Sequence, residues 1–152
     1  MDLIIKPTEL CNFKCSFCSS TKITEDDHTA SLDLFKIFEF LVRFPDTQTI
    51  IVNGGDPLMM DPSYYTAIIE FLDKNDMPAS ISLTTNLWPF YKKPAKWLEI
   101  FNHPRIGIAT SFQYGGGRLK GDFSIFTEED FRKCSDSVLE HCGYRPGFIA
   151  VV

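Results

Sequence analysis

Residues 49–85 read TIIVNGGDPLMMDPSYYTAIIEFLDKNDMPASISLTT. The stretch opens on a β-branched apolar run, 49–53, of strand length, and Gly54-Gly55-Asp56-Pro57 breaks it. Asp61 then offers an N-cap and Pro62 a first helical position, after which Tyr65, Ile68, Ile69 and Leu72 recur on one helical face. A second apolar strand, 79–85, follows. A helix between two strands is too long to be a hairpin turn, so the strands run parallel with a right-handed crossover. The segment therefore predicts a βαβ unit.

The same alternation extends in both directions. Further strands are expected at 3–6, 105–112 and 148–152. A helix follows Ser31, with Leu34, Phe35, Phe38, Leu41 and Val42 as its apolar stripe, and ends before Pro45 and Asp46. A weaker one runs from about Pro94 through Trp97, Ile100 and Phe101. The last starts at Thr127, whose hydroxyl caps it while Glu128, Glu129 and Asp130 suit its positive end. Phe131, Cys134, Val138, Leu139 and Cys142 form its stripe, and Gly143 stops it.

Five strands and four helices predict a single α/β domain over 1–152, a partial (β/α) barrel. A closed eight-stranded barrel needs at least about 200 residues, and the apolar fifth strand, expected to be fully buried, has nothing after it to cover its outer edge. The expectation is a barrel truncated relative to a full one.

Composition narrows the function. Fifteen Lys+Arg against twenty Asp+Glu give a net charge of −5, and no basic run interleaves with aromatics, so nucleic acid is not an expected partner. Residues 1–10 offer only Leu3-Ile4-Ile5 before Lys6 and Pro7, far short of a signal core or membrane span. A cytoplasmic protein with no membrane partner is expected. Five cysteines, three of them crowded at Cys11, Cys15 and Cys18, do not look like a secreted disulfide framework.

That trio carries the chemistry. Three thiolates on one short loop can hold a cubane of four irons and leave one iron open to an exogenous molecule. An unfilled position marks a reactive metal site, as it does in catalytic zinc. Two alternatives stay open: zinc, with His28 as a fourth ligand, and a reactive Cys15–Cys18 pair, which leaves Cys11 unexplained. Cys134 and Cys142 lie about 12 Å apart along a helix and on its apolar stripe, so they read as core. His103 and His141 lack partners at metal-ligand spacing.

In parallel α/β folds the working residues sit on loops after the C-terminal ends of strands. Four polar or glycine-rich segments do so here. They are the cysteine loop, Asn53-Gly54-Gly55-Asp56, Thr84-Thr85-Asn86, and Ser111-Phe112-Gln113 leading into Tyr114, Gly115–Gly117 and Arg118. All four are expected at one mouth. Gly54 and Gly55 would let the backbone approach a ligand without Cβ interference, and Arg118 could pair with a carboxylate of cofactor or substrate.

Cysteines spaced x3 and x2, an aromatic directly before the third, and Gly-Gly-acid-Pro after the next strand make the sequence resemble the radical S-adenosylmethionine (radical SAM) superfamily, specifically its N-terminal core. The resemblance implies a [4Fe-4S] cluster held by Cys11, Cys15 and Cys18, whose open iron chelates S-adenosylmethionine. It implies that Phe17 lies near the adenine, that the backbone of Gly54, Gly55 and Asp56 receives the methionine amino group, and that Ser111 and Gln113 touch the ribose. Asn86 joins them, although glycine often follows that asparagine in the family where this chain has Leu87. Aspartate at 56 stands where glutamate is commoner. The implied reaction is one-electron cleavage of S-adenosylmethionine to a 5'-deoxyadenosyl radical that abstracts hydrogen from a peptide or small-molecule substrate, with flavodoxin or ferredoxin as reductant. No acid–base catalytic residue is required. A glycyl-radical-enzyme activase is the alternative enzyme, and a non-catalytic zinc or thiol-redox module the alternative of another class.

Overall fold

A computed structural model describes residues 1–20 and 31–151. Five strands form one sheet in sequence order, all neighbours parallel: β1 (Asp2–Ile5), β2 (Thr49–Val52), β3 (Ser80–Thr84), β4 (Ile106–Gln113) and β5 (Gly147–Val151). The connections carry α1 (Leu34–Arg43), α2 (Pro62–Lys74), α3 (Trp88–Lys92), α4 (Pro94–Phe101) and α5 (Glu128–Cys142). This is a partial parallel α/β barrel. Among the described residues no helix is long and apolar enough to cross a membrane.

Alternate strand positions are buried. Ile50, Val52, Ile81, Leu83, Ile108 and Phe112 join Leu41, Ile68, Leu72, Trp97 and Phe101 of the helices in one core. The register places Val52 beside Leu83, and Thr84 beside Ala109, so β4 runs four residues past its pairing with β3. That overhang, paired only with β5, raises Ser111 and Gln113 toward the mouth.

The caps follow the sequence. Asp61 accepts a hydrogen bond from Ser63 N–H with Pro62 in the first turn, and Thr127 forms a reciprocal capping box with Asp130. Gly143 ends α5 in the left-handed conformation that glycine adopts without penalty.

Four expectations need correction. The stripe of α1 holds only in part: Leu41 is buried and Leu34 and Phe38 pack against the core, but Ile37 is buried as well while Phe35 and Val42 are 78% and 64% exposed. Seven of the ten residues are apolar, so sequence periodicity admits two faces. Packing selects the one on which Phe38 stacks on Phe71 of α2, ring centroids 4.2 Å apart. Leu139 of α5 is likewise exposed. Phe148 and Ile149 are 63% and 65% exposed rather than buried, since β5 pairs on one side only. Finally, the described residues hold five α-helices in these connections where four were expected. Helix α3 lacks an ordinary cap: Leu87 precedes it at φ 63°, and the Trp88 N–H is instead taken by the Asn86 side chain at 3.0 Å.

Candidate functional site

The four loops meet in one cleft of about 250 Å³ at the C-terminal ends of the strands. The first contributes Cys11, Phe13, Cys15, Phe17 and Cys18; the second Asn53 to Asp56; the third Thr84, Thr85 and Asn86; the fourth Ser111 and Arg118. Gln113 is half-buried and does not line it, and Tyr114, Gly115 and Gly116 are exposed beyond its rim.

The cysteine loop is held from several sides. Lys14 N–H donates to Leu119 C=O at 2.8 Å and Ser16 N–H to Gly117 C=O at 3.1 Å, while Phe13 bridges antiparallel to Lys120. Residues 119 and 125 pair in turn, so the first loop is zipped to a hairpin from the fourth. Phe126 packs beneath Phe13, ring centroids 4.9 Å apart. Ser20 Oγ donates to Glu9 Oε2 at 2.7 Å, and Glu9 also pairs with Lys6.

All five cysteines are free thiols. Burial pushes the Cys11 thiol up to about 12, although the Phe13 N–H donating to its sulfur at 3.4 Å works the other way. Burial also raises Cys15, against the pull of the Leu119 backbone and Arg118. Among the described residues no three His, Cys, Asp or Glu side chains converge closely enough to hold a single metal ion. His28, the fourth ligand of the zinc alternative, lies outside the described residues.

Gly54 and Gly55 are explained by the chain itself. Gly55 N–H donates to Thr8 C=O at 2.9 Å and Asp56 N–H to Leu10 C=O at 2.8 Å, so the second loop runs against the segment leading into Cys11. A Cβ on Gly55 would lie 1.9 Å from the Leu10 carbonyl oxygen, and one on Gly54 2.4 Å from that of Thr8, with Gly54 at φ +120°. The close approach expected for a ligand is made first by neighbouring backbone.

Asp56 braces the third loop. Its carboxylate accepts from Thr85 Oγ1 at 2.8 Å and Asn86 N–H at 2.8 Å, and caps the short 3-10 turn Pro57–Met59 through Leu58 N–H at 2.9 Å. Complete burial nevertheless holds this carboxyl above the usual carboxylate range, the donors pulling the other way. A carboxyl raised on folding binds its proton more tightly in the folded than in the unfolded chain. Its contribution to stability is full below the ordinary 3.8 and is lost as pH rises through the raised value. Asp56→Ala strands two backbone N–H groups, each costing ~1–3 kcal/mol when buried without a partner. Urea denaturation is expected to show a loss of about 3 kcal/mol, and Asp56→Asn to flatten the pH dependence.

Asn86 reaches Asn12 in a reciprocal amide pair, 2.9 and 3.3 Å, and its Nδ2 lies 3.9 Å from Cys11 Sγ. Asn12 was not singled out by the sequence, where a lone asparagine between two candidate ligands gives no signal. Ser111 is engaged by Arg118, whose guanidinium donates to its carbonyl and, at 2.8 Å, to its Oγ. Arg118 Nε is buried with no partner among the described residues.

A half-barrel with three thiols at the mouth of its parallel strands is the class of protein that fold and cleft define. No protein-family model matches the chain. Over 94 residues it is 31% identical to the GTP 3',8-cyclase of Photorhabdus laumondii, covering 60% of this chain and 28% of that one. The GTP 3',8-cyclase of Staphylococcus epidermidis is 34% identical over 92 residues, 56% of this chain and 26% of its own. Among solved structures, native anSMEcpe with bound AdoMet superposes with a TM-score of 0.72 at 16% identity, covering 98% of this chain and 42% of that one. The complex with AdoMet and the Kp18Cys peptide gives 0.73 at 14% identity. The chain is thus similar to the N-terminal portion of radical SAM proteins, in sequence over 60% of its length and in fold over 98%. It spans little more than a quarter of the length of these curated relatives.

Proposed function

We propose that residues 1–152 are the cofactor-binding portion of a radical SAM enzyme acting on a peptide or small-molecule substrate in a reducing cytoplasm. The observation that carries this reading is the convergence of Cys11, Cys15 and Cys18 with three further strand-end loops on one cleft. The donor set fits an iron-sulfur cluster. Cys11, Cys15 and Cys18 line one cleft, and a cubane takes each thiolate at a separate iron.

Cys11, Cys15 and Cys18 would hold the cluster, giving up thiol protons that burial makes costly to remove when no metal is bound. When bound, the cluster would supply one electron for reductive cleavage of S-adenosylmethionine. The chain's own residues bind and shield. Carbonyls of the loop at Gly54, Gly55 and Asp56 would accept from the cofactor's amino group, and Ser111, which lines the cleft as Gln113 does not, would meet its ribose. Phe17, 53% exposed at the rim, covers the adenine. Asn86 steadies Cys11 through Asn12. The electron comes from flavodoxin or ferredoxin.

Anaerobic reconstitution with iron and sulfide, followed by reduction in the presence of S-adenosylmethionine, should give a four-iron chromophore and 5'-deoxyadenosine. Retention of one zinc with no cleavage would replace this reading by the non-catalytic module.

A further inference from the structure

Beside the cysteine loop, with Asn12 in its lining, lies a second depression, of about 280 Å³, lined also by Met59, Trp88, Lys92, Lys93 and Lys96. In a chain of net charge −5 this is a local reversal of sign. The Trp88 ring sits between two ammonium groups, Lys92 Nζ at 4.6 Å and Lys120 Nζ at 4.7 Å from its centroid. Lys120 is matched by Asp130 at 2.9 Å, and Lys96 more loosely by Asp61 at 3.8 Å. Lys92 and Lys93 are exposed, with no carboxylate within 4 Å among the described residues. Cation–π contact holds the Lys92 charge over the ring instead of leaving it to wander in solvent.

This face connects inward. Trp88 N–H donates to Asn86 Oδ1 at 3.0 Å, and Asn86 Nδ2 stands 3.9 Å from Cys11 Sγ. One buried side chain therefore touches both the surface tryptophan's backbone and the first thiol of the motif. A positively charged, aromatic-centred patch linked through Asn86 to Cys11 has the chemistry to receive an acidic protein.

We propose that the Trp88–Lys92–Lys93 face docks an acidic one-electron carrier protein, which delivers its electron beside Cys11. The inference rests on the cluster reading above. In the step, one electron leaves the carrier's reduced flavin and enters the cluster, so the carrier is oxidised by one electron and the cluster reduced by one. No bond is made or broken at the interface.

The test uses the cluster-loaded chain with flavodoxin as probe. Calorimetric binding of oxidised flavodoxin reports docking without turnover, and bleaching of the cluster reports reduction by flavodoxin or by dithionite. Lys92→Glu with Lys93→Glu should raise the flavodoxin Kd about tenfold or more and slow reduction by flavodoxin in proportion at low salt. Dithionite reduction should be unchanged, and Lys92→Arg with Lys93→Arg should behave as wild type. Added salt should weaken the wild-type complex and have much less effect on the reversed one. Unchanged flavodoxin binding in the charge-reversed protein overturns the proposal, as does a parallel loss of dithionite reduction, which would make the lysines structural. A wild-type chain that takes up no cluster sinks the earlier reading instead, and leaves the binding result to stand or fall alone.

Discussion

Replacing Cys11, Cys15 or Cys18 singly by alanine will leave a folded protein that neither assembles a four-iron cluster nor forms 5'-deoxyadenosine above background. Three thiolates already leave one iron without a protein ligand, and removing a second anchor exposes the cubane to loss of iron. Fold survives because the cysteine loop is held mainly by backbone hydrogen bonds to residues 117 and 119 and by Phe13 on Phe126, with only long contacts to Cys11 Sγ. Iron and sulfide content, circular dichroism and product chromatography separate these effects. Cys134→Ala is the control. That thiol is fully buried on α5, so its loss costs about 1 kcal/mol of stability and leaves cleavage untouched. A single-alanine variant at 11, 15 or 18 that still cleaves would remove that residue from the ligand set.

The second large effect is expected from Gly55→Ala. The added methyl would lie 1.9 Å from the Leu10 carbonyl oxygen and 2.5 Å from that of Glu9, both backbone atoms. Overpacking where neighbouring side chains can give costs ~1–3 kcal/mol. Here the two loops must part, breaking the bonds from Gly55 N–H to Thr8 and from Asp56 N–H to Leu10. A loss of about 3 kcal/mol or more is expected by thermal denaturation, together with poor cluster loading, because Leu10 directly precedes Cys11. Gly147→Ala, where a Cβ meets nothing within 4 Å, should stay within about 0.5 kcal/mol of wild type. Equal effects at the two positions would contradict the packing account.

Sequence reading recovers the strands and their parallel order because each strand is a short β-branched run and each crossover carries a helix. It places Leu34, Phe38 and Leu41 of α1 on the packed face but adds Phe35 and Val42 and misses Ile37, since an apolar run such as LFKIFEFLV leaves the edges of the stripe undefined until Phe38 stacks on Phe71. It passes over α3, whose cap is an asparagine one residue too early. The cysteine motif and the four strand-end loops are legible as local pattern, and the cleft brings them together. What local pattern cannot carry is contact between distant loops. The Asn12–Asn86 pair, Asp56 bracing Thr85, and the pairing of residues 13–16 with 117–120 join distant positions, the last of them more than a hundred apart, and no periodicity announces them.

The last of these joins bears on how such a barrel can be altered. In most parallel barrels each strand-end loop is a separate module that can be exchanged for another. Here, the loop after β4 supplies the hydrogen-bonding edge on which the cysteine loop is laid. A graft that imports either loop without the other removes half of a small antiparallel ribbon, so any chimaera built on this chain has to transplant the two together.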